Sequence, residues 1–201
     1  VENVTDETSN PFGMRAGGPA VYGYGDANAD FHVIGDHPGV HGGRETGVPF
    51  TETVSGIRLQ RVLHAVGFAH EPYADAPTLA NTYLSYAHLR VPEGTPSTAD
   101  YADAERFLDA ELRAINAHIL LPVGDAALAY CLREHTSRAH VLPHDAAELH
   151  AQQLRGRGFL VVPVMEPFEW AEADETTLVE TLTAILNSDY RQTKGVATTI
   201  G

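Results

Sequence analysis

With 43% apolar residues, a chain of 201 residues can bury one core, and this length favours a single domain (1–201) over two small ones. Thirteen basic against 27 acidic residues give a formal charge of -14, with Lys194 the single lysine, and on ordinary rules such a surface counts against nucleic-acid binding. There is no apolar run of about 20 residues, and the start Val1 to Glu7 lacks both the basic and the apolar part of a leader, so a soluble, cytoplasmic protein is expected.

Composition leaves two readings open. Proteins of molar-salt environments are acidic and poor in lysine, and at such salt a basic surface gains little from counterion release. A halophilic protein is the expectation, with an acidic protein of dilute cytosol as the alternative. Cys131 is the single cysteine, so no internal disulfide or multi-cysteine metal site can form. The spacings His37-x-x-x-His41 and His140-x-x-x-His144 fall in Gly/Pro-containing loops without a zinc signature, and no metal or other cofactor is expected.

In chain order, residues 1–29 mix Asn, Gly, Pro and Asp and read as an irregular segment, including Asn10-Pro11-Phe12-Gly13. Phe31 to Ile34 is the first strand. It runs into Gly35 to Phe50, where glycines 35, 39, 42, 43 and 47 and prolines 38 and 49 dictate a shaped loop. Such a loop at the carboxyl end of a parallel strand is where open α/β sheets collect ligands. Neither a P-loop triplet nor a dinucleotide Gly-x-Gly-x-x-Gly is present there. Val54 to Val66 has helical apolar spacing, with Thr53 as N-cap and Gly67 as its end. Leu79 to Tyr86 reads as a strand, Leu89 to Ser97 as a proline-punctuated loop, and Ala99 to Asn116 as a helix capped by Thr98. A buried strand at Ile119 to Gly124, a helix from Asp125, a short strand at Ala139 to Leu142 and a short helix at Ala146 to Leu154 follow. The strand Phe159 to Met165, a helix from Asp174 to Leu186 and a frayed tail at 195–201 complete the chain. This alternation predicts an α/β fold with a parallel, helix-covered sheet.

The order Gly35-Asp36-His37-Pro38-Gly39, His41-Gly42-Gly43, Gly47-Val48-Pro49-Phe50-Thr51 resembles the first motif of the uracil-DNA glycosylase superfamily. In its families 4 and 5 a strand enters Gly-Glu-Ala-Pro-Gly or Gly-Leu-Ala-Pro-Ala, then a glycine-rich turn and Gly-x-Pro-Phe. Leu79 to Tyr86 is similar to the family's Ile-Thr-Asn strand, and Pro163-Val164-Met165-Glu166-Pro167-Phe168 to its last motif, Pro-Thr-x-His-Pro-Ser. The resemblance covers about residues 26–186. It implies a three-layer sandwich around a central four-stranded, mainly parallel sheet, and a monomeric hydrolase acting on uracil or another deaminated base in DNA. Family 4 carries an iron–sulfur cluster on four cysteines, which this chain cannot supply.

Roles follow by match. Asp36, His37 and Glu166 stand at catalytic positions, with Gly35, Pro38, Gly39, the ring of Phe50 and the amide of Asn81 around the base. Gly47, Pro167, Phe168 and Trp170 are placed at the DNA. Glu166 replaces the histidine that hydrogen-bonds the departing base in the family, and an ionised Glu166 would repel an anion. A protonated Glu166 donating in its place, a non-catalytic base-binding module, and a scaffold using the acidic loop near Trp170 therefore remain alternatives.

Overall fold

The computed structural model describes residues 16–190 and the backbone of Asn3–Val4. In chain order the elements are strands β1 (Asn3–Val4), β2 (Tyr24–Asp26) and β3 (Phe31–Gly35), the one-turn helix α1 (Pro38–His41) and helix α2 (Val54–Ala65). They continue with β4 (Thr82–Tyr86), α3 (Thr98–Ile115), β5 (Ile119–Pro122), α4 (Asp125–His135), β6 (Leu154–Arg155), β7 (Leu160–Val161), a 3-10 turn at Pro167–Glu169 and α5 (Glu172–Leu186).

The sheet runs β1-β2-β4-β3-β5-β7-β6. Its centre, β4-β3-β5-β7, is parallel throughout, as the β-helix-β succession requires. Short antiparallel strands extend both edges. The four expected strands are therefore the middle of a wider sheet, and β1 and β2 correct the reading of residues 1–29 as irregular throughout. The segment Asn10-Pro11-Phe12-Gly13 and the tail 195–201 lie outside the described residues.

Strand alternation sets the layers. Phe31 and Val33 of β3, with Ile119 and Leu121 of β5, face Leu59, Val62 and Leu63 of α2 and Leu178, Leu182 and Ile185 of α5. Ile34 and Leu120 point the other way, onto Leu108 and Leu112 of α3 and Leu128, Cys131 and Leu132 of α4. Burial pushes the Cys131 thiol well above its ordinary range, which suits a packed core residue.

Thr53 does cap α2, its Oγ1 accepting from the Gly56 N–H at 3.1 Å. The cap of α3 is Ser97, not Thr98: its Oγ accepts from the Asp100 N–H while the Asp100 carboxylate accepts from the Ser97 N–H, a reciprocal capping box. Residues 139–142 form turns rather than a strand, with His144 Nε2 donating to the Ala139 carbonyl at 2.9 Å. Residues 146–151 also form turns instead of a helix: Asp145 accepts from the N–H groups of 147 and 148 as an N-cap would, but Ala151 turns to φ 58° and gives its N–H to the Pro163 carbonyl at 2.8 Å, so no ladder continues.

Charge crowding carries a testable consequence. Glu172, Asp174, Glu175 and Glu180 crowd the first nine residues of α5, with Arg58 of α2 beside them. Without added salt these carboxylates repel one another, and at molar salt the screening length falls to about 3 Å. The melting temperature is expected to rise steadily from dilute to molar potassium chloride; a flat or falling curve contradicts the salt-adapted reading of the surface.

Candidate active site

The carboxyl edge of the parallel strands gathers four segments: the loop after Gly35, the segment after Tyr86, Gly124 after β5, and residues 165–170. The last two are joined by the parallel bridge Val123↔Val164 and the Gly124 N–H to Val164 carbonyl bond at 2.9 Å.

The loop is built around α1. His37 caps it, with Nδ1 accepting from the Gly39 N–H at 2.9 Å, and Pro38 supplies the fixed φ of a first helical residue. One turn later the chain swings the fully buried ring of His41 back against β3. Gly35 makes room for it: a Cβ there would stand 2.8 Å from His41 Nδ1, 2.6 Å from Phe50 Cζ and 2.8 Å from Tyr86 Cδ1. His41 stacks on Phe50 with ring centroids 5.0 Å apart.

The hydrogen bonds of His41 define its tautomer. Nδ1 accepts from the Asp36 N–H at 2.9 Å, so in the neutral ring the proton sits on Nε2, which lies 2.9 Å from Glu166 Oε2 and donates to it. Ser55, in the first turn of α2, donates to the other oxygen, Oε1, at 2.6 Å. Two donors on two carboxylate oxygens stabilise the anion. Burial pushes the Glu166 carboxyl up, but the His41 and Ser55 hydrogen bonds outweigh it and hold the group below the ordinary glutamate value. Glu166 is therefore an acceptor. The alternative of a protonated Glu166 acting as donor is corrected: that reading needs burial to dominate, and here the donors do.

Asp36 stands beside this clamp, with Oδ1 accepting from the Tyr101 hydroxyl of α3 and Oδ2 4.0 Å from His37 Nε2. Burial lowers the His37 pKa, helped by His88, His41 and Arg44 and opposed by Asp36. His88 N–H bonds to the Asp36 carbonyl, and its ring lies edge-on to both His37 and Tyr101. Its Nδ1 donates to the Arg90 carbonyl at 3.1 Å, which leaves the proton-free Nε2 as an acceptor in the neutral ring.

The other expected residues divide. Phe50 reaches the site but is buried, at φ 59°, with its N–H donating to the Tyr86 hydroxyl and its ring against His41. Pro38 is buried and Gly39 exposed, with a Cβ at Gly39 barred by the His37 ring at 2.6 Å. Gly47 takes φ 73° at an open turn, and Pro167 is buried beneath the 3-10 turn. Phe168 is 56% exposed beside Glu166 and is free to meet a ligand. Trp170 is not: it is 5% exposed, its Nε1–H donates to the Met165 carbonyl at 2.9 Å, and Arg58 lies over its ring. Its placement at the DNA is corrected to a brace for the turn that carries Glu166.

Asn81 is not brought to the site either. It precedes β4, at the amino end of the parallel strands, with φ 57°; its Oδ1 accepts from the Asp30 N–H and its own N–H bonds Asp26. It shapes a turn, a role for which Asn suits the left-handed conformation. Sequence reasoning missed Ser55, His88, Tyr101 and the function of His41. For His41 the signal was present, since a residue four positions after an N-cap returns to the same face one turn later.

Fold and site together define a three-layer α/β protein with a glycine-shaped loop and a clamped, anionic carboxylate at the carboxyl edge of a parallel sheet. The chain belongs to the uracil-DNA glycosylase superfamily, whose family model, described as "Uracil DNA glycosylase superfamily", matches residues 22–181. It is similar to the type-5 uracil-DNA glycosylase of Thermus thermophilus, 31% identical over 133 residues that cover 63% of this chain and 61% of the relative. The type-5 enzyme of Pyrobaculum aerophilum is 28% identical over 109 residues (52% and 48% of the two chains), and that of Mycobacterium tuberculosis 31% over 123 residues (58% and 46%). The matched relatives are thus covered over only about half to three fifths of their length.

Proposed function

We propose that the protein is a base-excision DNA glycosylase, hydrolysing the N-glycosidic bond of a deaminated or otherwise damaged base, with Glu166 as its working carboxylate. The observation that carries this reading is the clamp of His41 Nε2 at 2.9 Å and Ser55 Oγ at 2.6 Å on the two oxygens of Glu166, in the chain's counterpart of the superfamily's last motif. Glycosidic cleavage builds positive charge on the sugar, and an anionic carboxylate stabilises that charge while accepting a proton from the attacking water. Glu166 can do both without being the donor to the base. Asp36 and His37 line the same edge, and Phe168 offers an exposed ring of the kind that wedges into an opened base step.

One observation favours the non-catalytic alternative: the face of Phe50 on which a base would stack is occupied by His41. Oligonucleotides carrying uracil, hypoxanthine or xanthine, incubated in dilute and in molar potassium chloride, separate the two readings. Abasic sites formed on any of them are the expected result. Strand binding without abasic sites at either salt supports the binding module instead.

A further inference from the structure

Resting on the glycosylase reading, the charge of Glu166 also constrains the base that leaves. A uracil departs as an anion, which an adjacent carboxylate repels. A base already carrying a positive charge departs neutral, and the same carboxylate attracts it beforehand. The space beside Glu166 has the matching character. A cavity of about 350 Å³ opens there, lined also by Asp125, Asp145 and Glu169 with Gly124 and Met165, and no basic side chain is among its lining residues. Its volume lies within the range of small-molecule sites and suits a bicyclic base. Two of the carboxylates are fixed in place by backbone bonds, Asp125 Oδ1 to the Ala146 N–H at 2.8 Å and Asp145 Oδ1 to the Ala147 N–H at 2.9 Å. Gly124, at φ 79°, has no Cβ to intrude on Glu166, where one would stand 3.2 Å from Oε2.

We infer that the preferred substrate is a cationic, N-alkylated purine in DNA, of which 7-methylguanine is the simplest probe, rather than uracil. The bond between purine N9 and sugar C1′ breaks with its electron pair passing into the positively charged imidazole ring, which leaves as neutral 7-methylguanine. The oxygen of a water molecule bonds to C1′, and the proton it sheds goes to the Glu166 carboxylate and then to solvent. No donor to the departing base is needed, which accounts for a carboxylate standing where an anion's partner would otherwise be.

The test is single-turnover release from duplexes of one sequence carrying 7-methylguanine, uracil or hypoxanthine, corrected for spontaneous depurination and run in dilute and molar potassium chloride. Release of 7-methylguanine at least about tenfold faster than of either deaminated base is expected, a modest share of one charge–charge interaction. The double variant Asp125→Asn, Asp145→Asn keeps the oxygens that accept from the backbone and is expected to narrow that preference, slowing 7-methylguanine release relative to that of the deaminated bases, whose departing anions lose two repelling charges. Uracil or hypoxanthine released as fast as 7-methylguanine, or faster, overturns the inference and leaves the glycosylase reading standing. Release of none of the three overturns both.

Discussion

Replacing Glu166 by glutamine is expected to reduce base excision by about 10²–10⁴-fold, the usual worth of a positioned proton acceptor, while strand binding and fold persist. The substitution keeps the shape of the clamp. The amide oxygen can still accept from His41 Nε2–H, and the Ser55 hydroxyl can turn to accept from the new amide, so neither partner is stranded. What disappears is the negative charge and the proton affinity. Single-turnover abasic-site formation, measured beside equilibrium binding of the same strand, checks this; excision within a few fold of the parent would remove Glu166 from the chemistry.

The largest stability effect is expected at Gly42. It ends α1 at φ 87°, and a Cβ there would stand 1.7 Å from the Thr51 carbonyl oxygen, backbone that cannot turn aside. The same residue's carbonyl accepts from the Tyr86 hydroxyl at 3.0 Å, and that hydroxyl accepts in turn from the Phe50 N–H, so the middle and the last residue of the loop are both pinned to β4. Gly42→Ala combines left-handed strain with a backbone clash, together roughly 2–5 kcal/mol, or about 5–15 °C in melting temperature for a domain of this size. Gly67→Ala is the control. At φ 81° it carries the strain, but a Cβ there meets nothing within 4 Å, so about 1–2 kcal/mol is expected. Equal losses at the two positions in thermal unfolding would contradict the packing described for the loop.

Much of this architecture was legible in the residues because it depends on local rules. Glycines and prolines from Gly35 to Pro49 announced a shaped loop, apolar spacing located α2 and α3, and apolar-rich runs located β3, β5 and β7. The site was less legible, since it depends on which end of a strand a residue occupies and on partners far away in sequence. Asn81 has the right residue type in the right segment but begins its strand instead of ending it. Trp170 looked like a surface probe because acidic residues surround it in sequence, whereas Arg58 from α2 covers its ring. The charge of Glu166 was the hardest to foresee: burial and donors act on it in opposite directions, and its two donors come from 125 and 111 positions away. Only the folded contacts show that the donors prevail.

The proposed site works with an anion at Glu166. Because its folded pKa is depressed, the group stabilises the fold fully above the unfolded value of about 4.3, and that contribution is lost as pH falls through the folded pKa. His41→Phe keeps a stacking ring and removes the donor, so burial acts with less opposition and the titration should move upward. The most direct measurement is the carbon-13 NMR titration of the Glu166 side-chain carboxyl, assigned by its loss in Glu166→Gln. A midpoint below about 4.3 is expected in the parent and a higher one in His41→Phe. A midpoint near or above neutrality in the parent, with no upward movement in the variant, would show a protonated Glu166 and contradict the anionic site.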